Sequence, residues 1–402
     1  AGACVRALPL LPGGSPPAPG AWASRRVLAG SREVVEDSID LGAAAGEGAA
    51  PRSGRKPKSL RLLRGLAAKG EVEEILRLVG AAPLAVREAR ENPVVTPCQV
   101  LAESGAWRSG DPLAKAVEPL VEERLLPYMR EELNAPSLQV TQVLLRRYEP
   151  DQRRAHKVHF DHNALGTGIL DLTPRARSGL FVGFGADATS QFFVPFASPG
   201  DAAVHAWDVP HGVRICEDHA RVSIIVWTKP AADIDNDTTT WYIEDATKGD
   251  PDAAYRLGLE AEEQGDRERA EEHHLFAAER GQVFAMQRLY GLLNDLGEGA
   301  RAAAAGRWLE RAAAAGSAWA QVELGDVLKS EGSFQEALRN YEAAAAQEDP
   351  RALQRLGAAH THGLGVREDA ARGLELLQQA AGLGWSDAQF VLASSPGLPA
   401  AE

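Results

Sequence analysis

Hydrophobic positions change their spacing several times along this chain of 402 residues. In residues 58–96, the stretch LRLLRGLAAKGEVEEILRLV has apolar residues at helical spacing, which predicts a short helical pair. Residues 97–232 open on GDPLAKAVEPLVEERLLPYM, a helix in which Asp111 can cap the first turn and Pro112 fits the first position. Short β-like runs separated by turn compositions follow: LQVTQVLLRRY, GLFVGF, QFFVPF, DAAVHAW and RVSIIVW. A helix followed by many short strands predicts a β-sandwich or a jelly roll with supporting helices.

An alanine-rich helical pattern occupies residues 250–395. The related segments AAYRLG, AMQRLY, AQVELG, ALQRLG and AQFVLA begin at Ala253, Ala285, Ala320, Ala352 and Ala388, at steps of 32, 35, 32 and 36 residues. Small-residue segments such as FAAERG and RAAAAG follow them. A repeat of about 34 residues with two helices predicts an α-helical solenoid, so the chain is expected to be multidomain.

The remaining segments lack a sustained period. Residues 1–57 are rich in Gly, Pro, Ser and Ala, which favours a disordered segment. Because residues 1–32 contain four arginines and no acid, the remnant of an organelle transit peptide is the alternative. Residues 233–249 are expected to link the strand-rich region to the repeats.

Composition and net charge limit the classes of partner and the compartment that we expect for this chain. A net charge of −13 argues against a general nucleic-acid binder, which needs a basic face. The cysteines Cys4, Cys98 and Cys216 are few and far apart, so no disulfide framework is implied and a reducing compartment such as the cytoplasm is favoured. No apolar run reaches the roughly 18 residues of a membrane span, so we expect a soluble chain without a membrane partner.

Histidines concentrate in the strand-rich region, which contains His156, His159, His162, His205, His211 and His219. A lone histidine is more often structural or solvated than a ligand, so spacing must select among them. On a strand, His159 and Asp161 point to the same face, whereas His156 and His162 lie an odd number of residues from His159 and face the other way.

Further candidates lie downstream of that pair. His211 follows a strand-like run, Arg221 comes ten residues later, and Ser223 opens a second β-run. Two histidines and one carboxylate form the facial triad of non-haem Fe(II) oxygenases, which leaves coordination positions open for a 2-oxo acid and dioxygen. Arg221 suits the far carboxylate of such a cosubstrate, because a guanidinium pairs bidentately with it and stays charged when buried.

Residues 97–230 resemble Fe(II)/2-oxoglutarate dioxygenases of the prolyl 4-hydroxylase type, which are double-stranded β-helices (jelly rolls). The resemblance rests on LLRRYEPDQ…HFD, VPFASPGDAAVHAWDVPHGVRI and RVSIIVWTK. It implies that the iron ligands are His159, Asp161 and His211. It also implies that the cosubstrate is bound by Arg221, Ser223 and Tyr148. His205, six residues before His211, is a second candidate for the distal ligand.

The resemblance also implies a reaction. A substrate, such as a prolyl residue of a protein, is hydroxylated while dioxygen oxidises 2-oxoglutarate to succinate, and ascorbate rescues oxidised iron. Two departures from the family predict an altered substrate pocket. Asp151 follows YEP where the family often has Gly, and VGFGADATSQFF replaces the usual Gly-Gly-x-Thr region.

The repeats resemble tetratricopeptide-type repeats, most closely the Sel-like kind, which implies a protein partner or a protein substrate. Two alternatives remain open. The chain is a non-catalytic scaffold with a degenerate dioxygenase, or His156, His159 and His162 form a zinc or structural metal site. The second is weaker, because strand alternation splits these histidines and no cysteine lies near.

Overall fold

The computed structural model describes residues 22–41, 59–81, 98–148, 155–161, 163–175, 178–183, 191–215, 220–234, 240–294, 299–383 and 385–394. The chain divides into two compact units. The first, the β-domain, comprises Gly14–Phe184 and Gln191–Lys248. The second, the helical domain, has all its described residues within Gly249–Glu402.

Two antiparallel sheets form the β-domain in the part of the chain that the structure describes. The larger sheet has the strand order β1-β2-β3-β11-β8-β13-β6-β4-β5, and the smaller has the order β10-β9-β12-β7. The strands are β1 (Ala23–Ala29), β2 (Arg32–Asp40), β3 (Ser59–Arg64), β4 (Cys98–Glu103), β5 (Ala106–Trp107), β6 (Leu138–Tyr148), β7 (Ala155–His159), β8 (Gly166–Asp171), β9 (Gly179–Gly183), β10 (Gln191–Phe193), β11 (Asp201–Ala206), β12 (His211–Arg214) and β13 (Arg221–Pro230).

Helices accompany the larger sheet. They are α1 (Lys69–Ala81), α2 (Pro112–Leu120), a π-helical turn (Val121–Leu125), α3 (Leu126–Glu132), a 3-10 turn (Ala231–Asp233) and α4 (Thr240–Thr247). The predicted start of α2 is confirmed, because the Asp111 side chain accepts a hydrogen bond from the Leu113 backbone N–H and Pro112 occupies the first turn.

Hydrophobic cores lie on both faces of the larger sheet. On one face, Leu145 and Ile224 belong to a core shared with Val117 of α2. On the other face, Ile169 of β8 and Ile225 of β13 share a core with Val182 of the smaller sheet. The inner face of the β-domain therefore lies between the two sheets, and it carries the polar residues described below.

Nine helices are described in the helical domain. They are α5 (Pro251–Glu263), α6 (Arg267–Glu279), α7 (Val283–Asn294), α8 (Ala300–Ala314), α9 (Ala318–Ser330), α10 (Phe334–Ala345), α11 (Pro350–His362), α12 (Ala370–Gly382) and α13 (Ser386–Ser394). Asp250 and Asp349 cap α5 and α11 as their Asp-Pro starts predict. Glycine lets paired helices approach closely: a Cβ on Gly325 of α9 would lie 2.5 Å from the Tyr341 ring of α10.

The N-terminal part differs from the sequence-based expectation. Residues 23–40, expected to be disordered, form the β1–β2 hairpin, and residues 59–64, expected to be helical, form β3. Leu60 and Leu62 of β3 fill the core between the sheets, so the run SLRLLR follows the two-residue period of a strand. Residues 69–81 form helix α1, as the helical spacing predicted.

Described elements on both sides of the expected boundary at residue 97 belong to the β-domain: β3 and α1 come before it and β4 after it. Helix α4 occupies part of the expected linker 233–249. Among the described residues, Cys98 is buried and free, while Cys4 and Cys216 lie outside them. None of the described helices has the length and apolar character needed to cross a membrane.

Candidate metal centre

Strand pairing brings the three candidate metal ligands together. His159 ends β7 and His211 begins β12, and these two residues are direct register partners. Asp161 follows His159 by two positions, and it lies just beyond the end of β7 rather than on the strand that the alternation argument assumed. The three residues each offer a ligand atom, and these atoms lie within 4.8 Å of one another.

The distances within this triad are short enough for one ion to reach all three side chains. Asp161 places Oδ1 3.6 Å from His159 Nε2 and Oδ2 3.4 Å from His211 Nε2. The two imidazole rings are 4.5 Å apart. His159 is 35% exposed at its side chain and His211 only 5%, so solvent reaches the triad from the His159 side.

Hydrogen bonds fix the orientation of the ligands. His211 Nδ1 lies 3.0 Å from the Val209 carbonyl, which can only accept, so Nδ1 carries a hydrogen and Nε2 presents its lone pair. The Thr167 hydroxyl donates at 2.6 Å to Asp161 Oδ2, the same oxygen that lies near His211 Nε2. Asp161 Oδ1 lies near His159 Nε2.

The electrostatic environment favours the protonation states that metal ligation requires. Burial lowers the pKa of His211 to about 3, which keeps its imidazole neutral. Burial alone would raise the pKa of Asp161, but the neighbouring His211 and His159 hold that pKa well below its usual range. A neutral imidazole and an ionised carboxylate are ready to bind a metal.

The three predicted cosubstrate residues share a second patch on the inner face. Arg221 and Tyr148 are register partners in the pairing of β13 with β6, and Ser223 lies two residues beyond Arg221. Arg221 is 2% exposed, and its Nε donates to Asp171 Oδ2 at 3.0 Å. Among the described residues, Arg221 Nη2 and Ser223 Oγ are buried without a hydrogen-bond partner. A bound carboxylate would satisfy both donors.

Sequence reasoning missed three residues of these surroundings: Thr167, Asp171 and Arg146. Arg146 lies two residues before Tyr148 on β6, and its Nη1 donates to the Tyr148 hydroxyl at 3.2 Å. Burial acts to lower the pKa of Arg146, but Tyr148 and Asp161 raise it above its ordinary value. Strand alternation within LLRRY was the signal that could have found Arg146. Thr167 and Asp171 required strand register, which the sequence does not give.

The other histidine candidates of the strand-rich region are His156, His162, His205 and His219. His205 is buried beside the triad, with its ring 4.5 Å from that of His211, yet it is outside the group of three ligands. Its Nδ1 lies 2.9 Å from the Ala206 carbonyl, and its Nε2 has no partner among the described residues. His156 pairs with Val213 through the backbone of β7. His162, His219 and Asp151 lie outside the described residues.

The donor set fits a divalent iron ion. Two imidazoles and one carboxylate converge on one point, which is the ligand set of mononuclear non-haem Fe(II) sites. Cysteine does not contribute to this group, in contrast to most structural zinc sites. The buried donors of Arg221 and Ser223, which lack a hydrogen-bond partner among the described residues, lie together on one face of the larger sheet.

Comparison with known proteins gave structural matches alone, since no family model and no curated protein sequence matches this chain. A Sel1 repeat protein from Oxalobacter formigenes is 27% identical with a TM-score of 0.36, over 38% of this chain and 48% of its own. An oxidoreductase of the 2OG-Fe(II) oxygenase family from Burkholderia pseudomallei is 15% identical with a TM-score of 0.35, over 42% of this chain and 85% of its own.

A prolyl hydroxylase from Trichoplax adhaerens, solved with a hypoxia inducible factor peptide, is 14% identical with a TM-score of 0.34, over 45% of this chain and 87% of its own. This chain thus spans about half the length of the Sel1 repeat structure. Each of these three matches covers less than half of this chain.

Proposed function

We propose that the β-domain is an Fe(II)- and 2-oxoglutarate-dependent dioxygenase with its two sheets arranged as a double-stranded β-helix. The observation that carries this proposal is the convergence of His159, Asp161 and His211 within 4.8 Å. The unsatisfied buried donors of Arg221 and Ser223 support it, because a dicarboxylic cosubstrate needs such a contact at its distal end.

Each residue has a stated task in this proposal. His159, Asp161 and His211 hold the ion, and Thr167 keeps the Asp161 carboxylate in place. Iron(II), when bound there, supplies dioxygen activation coupled to oxidative decarboxylation of 2-oxoglutarate, with ascorbate as the reductant of oxidised iron. Arg221 and Ser223 bind the C5 carboxylate, and Tyr148 lies beside it. Burial of this patch excludes water from the carboxylate contacts.

The substrate is, in our proposal, a residue of a protein, such as a prolyl residue. The helical domain would act as a solenoid of Sel-like repeats that binds this protein. Mass spectrometry of proteins captured by the chain, in the presence of iron and 2-oxoglutarate, should then find peptides that have gained one oxygen atom. Captured proteins without any such gain would count against a protein substrate.

Uncoupled turnover tests the enzyme itself. Succinate formation from 2-oxoglutarate should require Fe(II) and should fall to background in His159→Ala. His362→Ala is the matched control, because it removes an exposed histidine of the helical domain and should leave succinate formation unchanged. Equal background in the wild type and in His159→Ala would favour the alternative, a non-catalytic scaffold.

A further inference from the structure

Two guanidinium groups flank Tyr148 on the inner face of the larger sheet. The guanidinium carbon of Arg146 is 5.8 Å from the centre of the Tyr148 ring, and that of Arg221 is 6.0 Å away. Arg146 is the register partner of Ser223, so its side chain leaves β6 on the same face. The cosubstrate patch therefore contains a second arginine that the family resemblance does not assign.

The guanidinium of Arg221 is already paired with a carboxylate. Its Nε–Asp171 Oδ2 contact of 3.0 Å joins side chains that are 2% and 1% exposed, so the pair carries no net charge. Asp171 Oδ1 also accepts a hydrogen bond from the Thr173 backbone N–H, which fixes the carboxylate. A Cβ at Gly179 would lie 2.9 Å from Arg221 Nε, so main chain closes around this edge of the guanidinium. Only the Nη side of Arg221 remains for a ligand.

Arg146 differs because no acidic side chain pairs with it among the described residues. Its Nη1 donates a hydrogen bond to the Tyr148 hydroxyl, and its buried Nε has no hydrogen-bond partner in the part of the chain that the structure describes. Asp161 acts on Arg146 electrostatically but forms no ion pair with it, and a largely desolvated guanidinium without a directly paired carboxylate is costly. Arg146 Nε, Arg221 Nη2 and Ser223 Oγ thus form one group of unsatisfied donors around Tyr148.

We propose that Arg146 is a specificity-determining residue that binds the distal carboxylate of the 2-oxo dicarboxylic cosubstrate together with Arg221 and Ser223. The inference rests on the proposed function. The formal charge balance supports it: the carboxylates of Asp161 and Asp171 offset the guanidinium groups of Arg146 and Arg221, and a bound divalent ion adds two positive charges. A 2-oxo dicarboxylate brings two negative charges and neutralises the site.

Calorimetric titration of the Mn(II)-loaded full chain with two 2-oxo acids tests this role. Mn(II) is the redox-silent probe for the metal, and 2-oxobutyrate lacks the distal carboxylate of 2-oxoglutarate. Arg146→Met should weaken 2-oxoglutarate binding by about 10- to 100-fold, the usual worth of a charged hydrogen bond, and leave 2-oxobutyrate binding unchanged. Arg146→Lys should recover part of the loss.

Arg147→Met is the matched control, since alternation places Arg147 on the other face of β6. It should bind both acids as the wild type does. Arg146→Gln keeps much of the length and polarity and serves the same test if Arg146→Met does not fold.

The outcomes separate the inference from the proposed function. Wild-type affinity for 2-oxoglutarate in the Arg146 variants, or an equal loss for both acids, overturns the role of Arg146 while the enzyme proposal stands. A Mn(II)-loaded wild type that binds neither acid overturns the proposed function and the inference with it. Selective loss of 2-oxoglutarate binding supports both.

Discussion

His159 and His211, which are 52 positions apart in the numbering, face each other across the β7–β12 pair with their rings 4.5 Å apart. Asp161 lies against both, so one carboxylate joins the ends of two strands. The triad thus depends on the pairing of the smaller sheet as well as on the identity of its residues. The predictions below test that arrangement and its supports.

Asp161→Asn should abolish most of the metal affinity. The amide keeps the shape of the side chain but removes the negative charge that a divalent ion needs. Calorimetry with Mn(II) should show a loss larger than the roughly 10- to 100-fold typical of removing an outer hydrogen-bond partner. Asp387→Asn, an exposed position of α13, is the control and should bind Mn(II) as the wild type does. Unchanged binding in Asp161→Asn would remove this residue from the ligand set.

Thr167→Val should weaken Mn(II) binding by about 10- to 100-fold, because its hydroxyl no longer holds Asp161 Oδ2. The matched control is Thr228→Val. The Thr228 hydroxyl is also buried but donates to the Gly166 carbonyl, so its loss should lower stability without changing metal affinity. Equal effects of the two substitutions on Mn(II) binding would show that Thr167 acts only on the fold.

Asp171→Asn should destabilise the β-domain by about 3–5 kcal/mol, since it leaves the Arg221 guanidinium buried without its anion. Urea unfolding followed by near-UV circular dichroism measures this change. Because 2-oxoglutarate would supply a replacement anion, it should stabilise the Mn(II)-loaded variant more than the Mn(II)-loaded wild type.

The exposed pair Arg372–Glu375 provides the comparison for that experiment. Glu375→Gln should change stability by no more than about 0.5 kcal/mol. A similarly small effect of Asp171→Asn would contradict a charged interaction between Asp171 and Arg221.

Gly325→Ala should destabilise the helical domain by about 1–3 kcal/mol, because its Cβ would lie 2.5 Å from the Tyr341 ring. Gly306→Ala in α8 is the matched control: no atom lies within 4 Å of its added Cβ, and alanine favours a helix interior by about 0.5–1 kcal/mol. Thermal unfolding followed at 222 nm should move in opposite directions for the two variants. A gain of stability in both would show that helix propensity outweighs any clash at Gly325.

Parts of the fold and of the site followed from local patterns. The two-residue spacing pointed to His159 and Asp161 as neighbours, although β7 ends at His159 and Asp161 lies beyond the strand. The start of α2 needs only Asp111 and Pro112. The helical repeats could be predicted from the regular spacing of their alanine-led segments. The role of the triad as iron ligands stays a prediction, although the three side chains are close together.

Other parts depended on long-range pairing that no short window contains. Asp171 and Arg221 are 50 residues apart, and only the register of β8 with β13 joins their strands. The β1–β2 hairpin could not be predicted from its own residues, because it depends on the pairing of β2 with β3 and on packing against the π-helical turn Val121–Leu125. Its turn residue Gly30 has φ +59°, and a Cβ there would collide with the Glu123 carbonyl. The run SLRLLR is compatible with the period of a helix and with that of a strand. Burial of Leu60 and Leu62 in the core between the sheets favours the strand.

Glycine at the end of the repeat motif has a counterpart on the following helix. Gly258 faces His274 and Gly325 faces Tyr341, while Gly357 lies against the Gly373 carbonyl and Leu377. In the motif that ends in Tyr290, the next helix is the alanine-rich α8. A glycine on one helix thus makes room for a larger side chain on the next helix. The two-helix unit, rather than the single helix, is therefore the part to exchange as a whole in recombination or consensus design of this array.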